Sequence, residues 1–66
     1  MKDMNLLQNK LLSARKDAGL TRPSVCKVLG IGIQTLYRYE KGITVPSIEQ
    51  IKILSKLYKV PITYFI

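Results

Sequence analysis

The chain lacks most of the residues on which enzyme active sites depend. Its 66 residues include no histidine, one cysteine and only four acidic residues. Histidine and paired carboxylates supply most general acid–base chemistry, and His, Cys, Asp and Glu are the usual ligands of zinc. The four carboxylates have no spacing typical of a dyad or a metal site. The sequence therefore predicts no catalytic residue, no metal site and no cofactor, and we expect a protein that is not an enzyme.

The chain also lacks a second cysteine and any long apolar run. Cys26 cannot form an internal disulfide, and its apolar surroundings predict a small buried residue in a reducing cytoplasm. No run approaches the roughly 18 apolar residues of a membrane span. The N-terminus has no apolar core typical of a signal peptide. We therefore expect a cytoplasmic protein with no membrane partner and no evident small-molecule ligand.

Positive charge, in contrast, is in excess. Eleven Lys and Arg residues against four Asp and Glu give a net charge of +7. This balance in one small domain, residues 1–66, favours a polyanionic partner, and nucleic acid before a membrane. The same charge also serves solubility, and composition alone does not separate the two explanations.

Hydrophobic spacing predicts an all-α fold without strands. A first helix over about Met4 to Asp17, ended by Gly19, presents a core stripe of Leu7, Leu11, Ala14 and Ala18. A second opens at the N-cap Thr21, carries the apolar residues Val25, Cys26, Val28 and Leu29, and ends at Gly30. A third opens near Gly32 and ends at Gly42, with Leu36 and Tyr39 inward. Two helices over about 21–40, joined by a turn of three residues, form the outline of a helix-turn-helix.

The strongest helix boundary lies at Ser47, after an extended connector that ends in Pro46. Ser47 and Gln50 have capping-box spacing. The fourth helix carries a stripe of Ile48, Ile51, Leu54 and Tyr58, widened by Ile53 and Leu57. Val60-Pro61 ends it, and residues 62–66 are expected to form a short terminal turn or helix.

Five blocks of the chain, in register over roughly Leu7 to Phe65, resemble the Cro/C1-type (lambda-repressor-like, XRE) helix-turn-helix family. The blocks are Arg15-Lys16-Asp17-Ala18-Gly19-Leu20-Thr21, Leu29-Gly30-Ile31, Thr35-Leu36-Tyr37-Arg38-Tyr39-Glu40-Lys41-Gly42, Pro46-Ser47 and Leu57-Tyr58-Lys59-Val60-Pro61-Ile62. The resemblance implies a compact five-helix domain that binds operator DNA, usually as a dimer, in a prokaryotic or phage-type transcriptional regulator. It also implies a phosphate contact by Arg22, base contacts by Ile33, Gln34 and Arg38, and a partly buried ion pair between Arg15 and Glu40.

Three positions depart from the family pattern. Arg22 stands where Gln is frequent, and Pro23 follows it in the first helical turn, where the missing N–H has no helical partner to lose. Gly32 replaces a Ser or Thr cap, which weakens the cap of the third helix. Ile33 replaces a usual hydrogen-bonding reader with an apolar residue.

The outward face of the third helix, residues 33–41, has the side chains that a major-groove reader needs. Gln34 can pair with adenine, Arg38 with guanine, and Ile33 can pack on a thymine methyl. Tyr37 completes the base-reading set, although its hydroxyl can instead reach a phosphate or sugar. The expected phosphate contacts are Arg22, Lys27, Lys41 and Thr44. The alternative reading is that Gln34 and Arg38 are ordinary solvated residues and Ile33 a core residue.

The apolar residues exceed the needs of one small core, which favours a homodimer. The surplus consists of Ile62, Tyr64, Phe65 and Ile66 with Leu6, Leu12, Ile53 and Leu57. A symmetric pair would place two recognition helices about 34 Å apart on a palindromic operator. The tail could instead lead into another domain of a longer repressor. The competing function is an antitoxin-like or adaptor protein that uses the same fold for protein–protein contacts.

Overall fold

The computed structural model describes residues 6–66, which contain four α-helices and no strand. The helices are α1 (Leu7–Asp17), α2 (Arg22–Leu29), α3 (Ile33–Lys41) and α4 (Ile48–Tyr58). A single 3₁₀ turn, Ile62–Tyr64, follows α4 and packs against it. The all-α fold and the helix-turn-helix are confirmed. No helix within this range is long and apolar enough to span a membrane.

The prediction of five helices is not confirmed, because the fifth element is only a 3₁₀ turn. Pro61 has an extended backbone, with a φ of −67° and a ψ of 152°. The N–H groups of Tyr64 and Phe65 donate three residues back, to the carbonyls of Pro61 and Ile62. The first helix begins at Leu7 after the extended Leu6, and the predicted start at Met4 lies outside the described residues.

The helix ends lie where the capping residues predict them. The Thr21 hydroxyl accepts the N–H of Ser24 at 3.4 Å, and α2 ends at Gly30, whose φ is 70°. At Ser47 both bonds of the capping box are present: the Gln50 N–H donates to the Ser47 hydroxyl, and the Ser47 N–H donates to Oε1 of Gln50. Gly42 ends α3 with a φ of 77°. These caps leave a turn of three residues between α2 and α3, which fixes the abrupt change of direction.

One hydrophobic core joins the four helices. Its most buried side chains are Leu11, Val25, Leu36, Ile51 and Leu54. Phe65 also lies in this core, so it is not part of the surplus apolar surface expected of it. Ala18 and Ile48 are exposed, contrary to the predicted stripes. Each lies near the end of its helix, where the periodic pattern continues but no neighbouring helix covers it.

Candidate nucleic-acid interface

Helix α3 divides its residues between the core and the surface. Leu36 and Tyr39 are buried, with exposed fractions of 1% and 8%. Ile33 and Tyr37 are large apolar or aromatic residues that remain 46% and 44% exposed, and Gln34, Arg38 and Lys41 are exposed beside them. The open face of α3 therefore combines an amide, a guanidinium and an ammonium group with exposed apolar surface.

A shallow groove on this face is lined by Gln34, Tyr37, Arg38 and Ile43. Ile43, which follows α3 and is 66% exposed, was not among the expected site residues. Its N–H donates to the Arg38 carbonyl at 3.0 Å, and the Gly42 N–H donates to the Tyr39 carbonyl at 3.3 Å. These are the two bonds of a Schellman motif, which returns the residue after the glycine to the helix surface. The pattern of Gly42 followed by an apolar residue was the available indication that Ile43 would lie there.

Arg15, Arg22 and Glu40 form a network of two cations and one buried anion. Arg15 Nε donates to Glu40 Oε2 at 2.6 Å, and its Nη1 donates to the Leu20 carbonyl at 2.9 Å. Arg22 Nε donates to Glu40 Oε1 at 2.8 Å. Arg15 and Glu40 are buried, whereas the Arg22 side chain is 36% exposed. The network joins α1, α2 and α3, and the contact of Arg22 with Glu40 was not expected from the sequence.

The Tyr37 ring lies beside two cations. The Arg22 guanidinium carbon is 5.6 Å from the ring centroid, and the Lys41 Nζ is 5.5 Å from it. Both distances lie within the range of a cation–π interaction. The structure thus places Arg22 and Lys41, which were both expected to contact phosphates, beside Tyr37, which was expected to read bases.

The other two expected phosphate contacts lie outside this group. Lys27 is exposed in the last turn of α2, and Thr44 is exposed in the connector after α3. Within residues 6–66, neither side chain has a hydrogen bond or ion pair with the residues of the α3 face. Their exposure leaves both side chains free to contact a backbone phosphate.

Helix α3 is also held to α4 by a polar contact. The Tyr39 hydroxyl donates to Oε1 of Gln50 at 2.7 Å, so the capping-box side chain of α4 also binds the recognition-helix candidate. Sequence reasoning assigned Tyr39 only to the core. The inward position of Tyr39, three residues before the helix-ending Gly42, gave no indication of this partner.

The two remaining buried polar groups of interest are uncharged at neutral pH. Burial raises the pKa of the Cys26 thiol, and its Sγ lies 3.5 Å from the Gly32 carbonyl oxygen in the turn between α2 and α3. Burial, with a smaller contribution from Glu40, raises the pKa of the Tyr58 phenol. The Tyr58 hydroxyl has no hydrogen-bond partner within the described part of the chain. Neither group contributes charge to the α3 face.

Comparison with known proteins agrees with this geometry. The family model described as Helix-turn-helix matches residues 11–65. The chain is similar to the cryptic phage CTXphi transcriptional repressor RstR of Vibrio cholerae, with 33% identity over 57 residues. The matched region covers 86% of this chain and 51% of RstR, so the chain spans about half the length of that relative. No solved structure gives a significant match. Because the family model covers most of the chain, including both helices of the motif and the helices that support them, the chain belongs to the Cro/C1-type helix-turn-helix family of DNA-binding proteins.

Proposed function

We propose that the protein is a transcriptional regulator, and specifically a repressor, that binds a defined sequence of double-stranded DNA through α3. The observation that carries the proposal is the open face of α3, where exposed Gln34 and Arg38 lie among apolar and cationic side chains. The net charge of +7 and the similarity to a phage repressor support the same conclusion.

Each side chain of the face suits a particular contact. Arg38 can donate two hydrogen bonds to guanine O6 and N7, and Gln34 can pair with adenine N6 and N7. Ile33 can cover a thymine methyl group. The cations Arg22, Lys27 and Lys41, with the Thr44 hydroxyl, contact phosphates, which set the register of the protein on the duplex. The proposed function is therefore sequence-specific DNA binding without catalysis.

We further propose that two copies bind a palindromic operator. Ile53 and Leu57 lie one turn apart on α4, and Ile53 remains 41% exposed. Leu6 and Ile66 are also exposed, with Ile66 at 69%. Pairing through these residues would bury apolar surface and give the two-fold symmetry of a palindrome, with recognition helices about 34 Å apart.

Selection from random duplexes, followed by salt titration of the winning sequence, tests the base-reading assignment. We expect the selection to enrich a palindrome. Arg38→Ala should weaken the free energy of binding by about 1–3 kcal/mol and relax the base preference at one position of each half-site. Lys27→Ala is the matched control: it should weaken all sequences about equally and lower the salt slope by about one. If the selection enriches no sequence, the proposed function is contradicted. If Arg38→Ala leaves the base preference unchanged, the assignment of Arg38 as a base reader is contradicted.

The dimer is tested by sedimentation equilibrium with and without operator DNA. Ile53→Lys should prevent pairing and abolish cooperative occupancy of the two half-sites. Val45→Lys is the control, because Val45 is equally apolar and 75% exposed but lies in the connector between α3 and α4. Equal effects of the two substitutions would rule out pairing through α4.

One observation favours the antitoxin-like or adaptor function as a second candidate. The connector region exposes three apolar residues, Ile43, Val45 and Ile48, at fractions of 66%, 75% and 57%. Such clusters are found at protein–protein contacts. Failure of the selection to enrich any sequence, together with intact folding, would favour this alternative.

A further inference from the structure

We propose that Tyr37 is a positioning residue for phosphate binding: its ring holds Arg22 and Lys41 together as one phosphate clamp at the recognition helix. The inference rests on the proposed function, since it assumes a duplex as the ligand. It assigns to Tyr37 a role carried by its ring, in place of base reading by its hydroxyl.

The first support is the way Arg22 is held. Its Nε donates to Glu40 Oε1 at 2.8 Å, and among residues 6–66 this is the only Arg22 nitrogen with a protein acceptor. The guanidinium carbon lies 5.6 Å from the Tyr37 ring centroid. A planar guanidinium that has one N–H bound to a carboxylate and lies within cation–π range of a ring has less rotational freedom than one without these partners. Its two terminal nitrogens are therefore oriented in advance and available to a phosphate.

The second support is Lys41, which has no anionic partner among the described residues. Its Nζ lies 5.5 Å from the same ring centroid. A lysine side chain normally samples many rotamers, and ordering it on binding weakens the net contact. The Tyr37 ring restricts this sampling before binding. Lys27 has no aromatic neighbour of this kind in residues 6–66 and serves as the internal comparison.

The third support is the arrangement of charge. The buried Glu40 carboxylate binds two guanidinium groups. Arg15 Nε lies 2.6 Å from its Oε2, and Arg22 Nε lies 2.8 Å from its Oε1. The network of Arg15, Arg22 and Glu40 has one net positive charge, and Lys41 adds a second positive charge beside it. The π-face of the Tyr37 ring is electron-rich, and both Arg22 and Lys41 lie within cation–π range of it on the open face of α3. An anion is the ligand that this arrangement binds best.

The test measures binding to the selected operator and to an unrelated duplex over a range of salt concentrations. Tyr37→Leu removes the ring, and we expect affinity for both duplexes to fall roughly 5- to 25-fold, from the loss of two cation–π contacts. The salt slope should become shallower, while the preference for operator over unrelated DNA stays the same. Tyr37→Phe should rescue both affinity and slope, because it keeps the ring. Tyr64→Leu is the control, since Lys10 lies 5.8 Å from the Tyr64 ring centroid in the terminal 3₁₀ turn, away from α3.

A double-mutant cycle with Lys41→Ala separates the clamp from a general effect of the ring. In the Lys41→Ala background, Tyr37→Leu should have a smaller effect than in the wild-type background. Additive effects would overturn the proposed link between Tyr37 and Lys41. Loss of base preference in Tyr37→Phe would show that the hydroxyl reads DNA and would also overturn the proposal.

A measurement without DNA distinguishes failure of the clamp from failure of the proposed function. The Arg22 Hε resonance in the free protein should show a ring-current shift in wild type and Tyr37→Phe that is absent in Tyr37→Leu. An absent shift in wild type would overturn the clamp whether or not DNA binds. A present shift with no binding to any duplex would instead overturn DNA as the ligand, and with it the phosphate role.

Discussion

Tyr39 and Gln50 join the recognition helix to the helix behind it through one oxygen atom. Oε1 of Gln50 accepts the Tyr39 hydroxyl at 2.7 Å and the Ser47 N–H at 3.4 Å. The start of α4 and the inward side of α3 are therefore fixed by the same side chain. The orientation of α3 depends on this contact as well as on the core.

Tyr39→Phe should lower stability by about 1 kcal/mol, because it removes one partly buried hydrogen bond between α3 and Gln50. Tyr58→Phe is the matched control. It removes a buried hydroxyl that has no partner in the described residues, so stability should stay the same or rise. Chemical denaturation of both variants checks the difference, and equal losses would show that the Tyr39 hydroxyl contributes nothing specific.

Glu40→Ala should be among the most damaging single changes in the domain. It leaves the buried Arg15 guanidinium without its anion and releases Arg22, and breaking a buried pair in this way costs about 3–5 kcal/mol. Glu49→Ala, at an exposed position in the first turn of α4, should cost less than about 1 kcal/mol. A shift in Tm no larger than that of Glu49→Ala would contradict a stabilising role for the network.

Two neighbouring glycines should respond in opposite ways to the same substitution. Gly32 is the N-cap of α3, with a φ of −82°, no side-chain cap and no atom within 4 Å of an added Cβ. Gly32→Ser supplies the missing cap and restricts the unfolded chain, which should add about 0.5–1 kcal/mol. Gly30 has the same open space but a φ of +70°, so Gly30→Ser should destabilise by about 1 kcal/mol. Thermal melts of the two variants check the signs, and a gain in both would show that backbone conformation is not the deciding factor.

The stability of the wild-type protein should fall at alkaline pH partly because of Tyr58. An unfolded tyrosine ionises near its ordinary pKa of 10.0, whereas burial raises the pKa of Tyr58 in the folded protein. Below pH 10 Tyr58 keeps its proton in both the folded and the unfolded state, and its contribution to stability is fully present. Above pH 10 the unfolded state loses the proton first, so stability falls by up to about 1.4 kcal/mol per pH unit. In urea titrations, the free energy of unfolding of Tyr58→Phe should rise relative to that of wild type between pH 8 and pH 11. A difference that is the same at both pH values would contradict this.

The sequence predicted features that depend on local chemistry. The Thr21 cap, the Ser47–Gln50 capping box and the turn glycines Gly30 and Gly42 all lie where predicted, because each depends on residues within one helical turn. The division of α3 into a buried and an open face followed from helical periodicity for the same reason.

The features that the sequence did not predict depend on contacts between distant segments. Arg22 meets Glu40 across 18 positions, and the partner of Tyr39 lies 11 positions away, so no local pattern contains either contact. Ala18 and Ile48 fit the periodic stripes but are exposed, because periodicity gives the direction of a side chain and not the extent of the neighbouring helix. The Arg15–Glu40 contact was expected only through the family resemblance.

The contacts of α3 are distributed unevenly along its length. Its C-terminal half is held by Glu40, by Tyr39 and by the Lys41 carbonyl, which lies 3.5 Å from Nε2 of Gln8. Its first turn has no side-chain cap at Gly32. Amide hydrogens of that first turn should therefore exchange with solvent through local opening, while those near Glu40 exchange only when the whole domain unfolds. The side chains of Ile33 and Gln34 can then change position locally, while the axis of the helix keeps its direction.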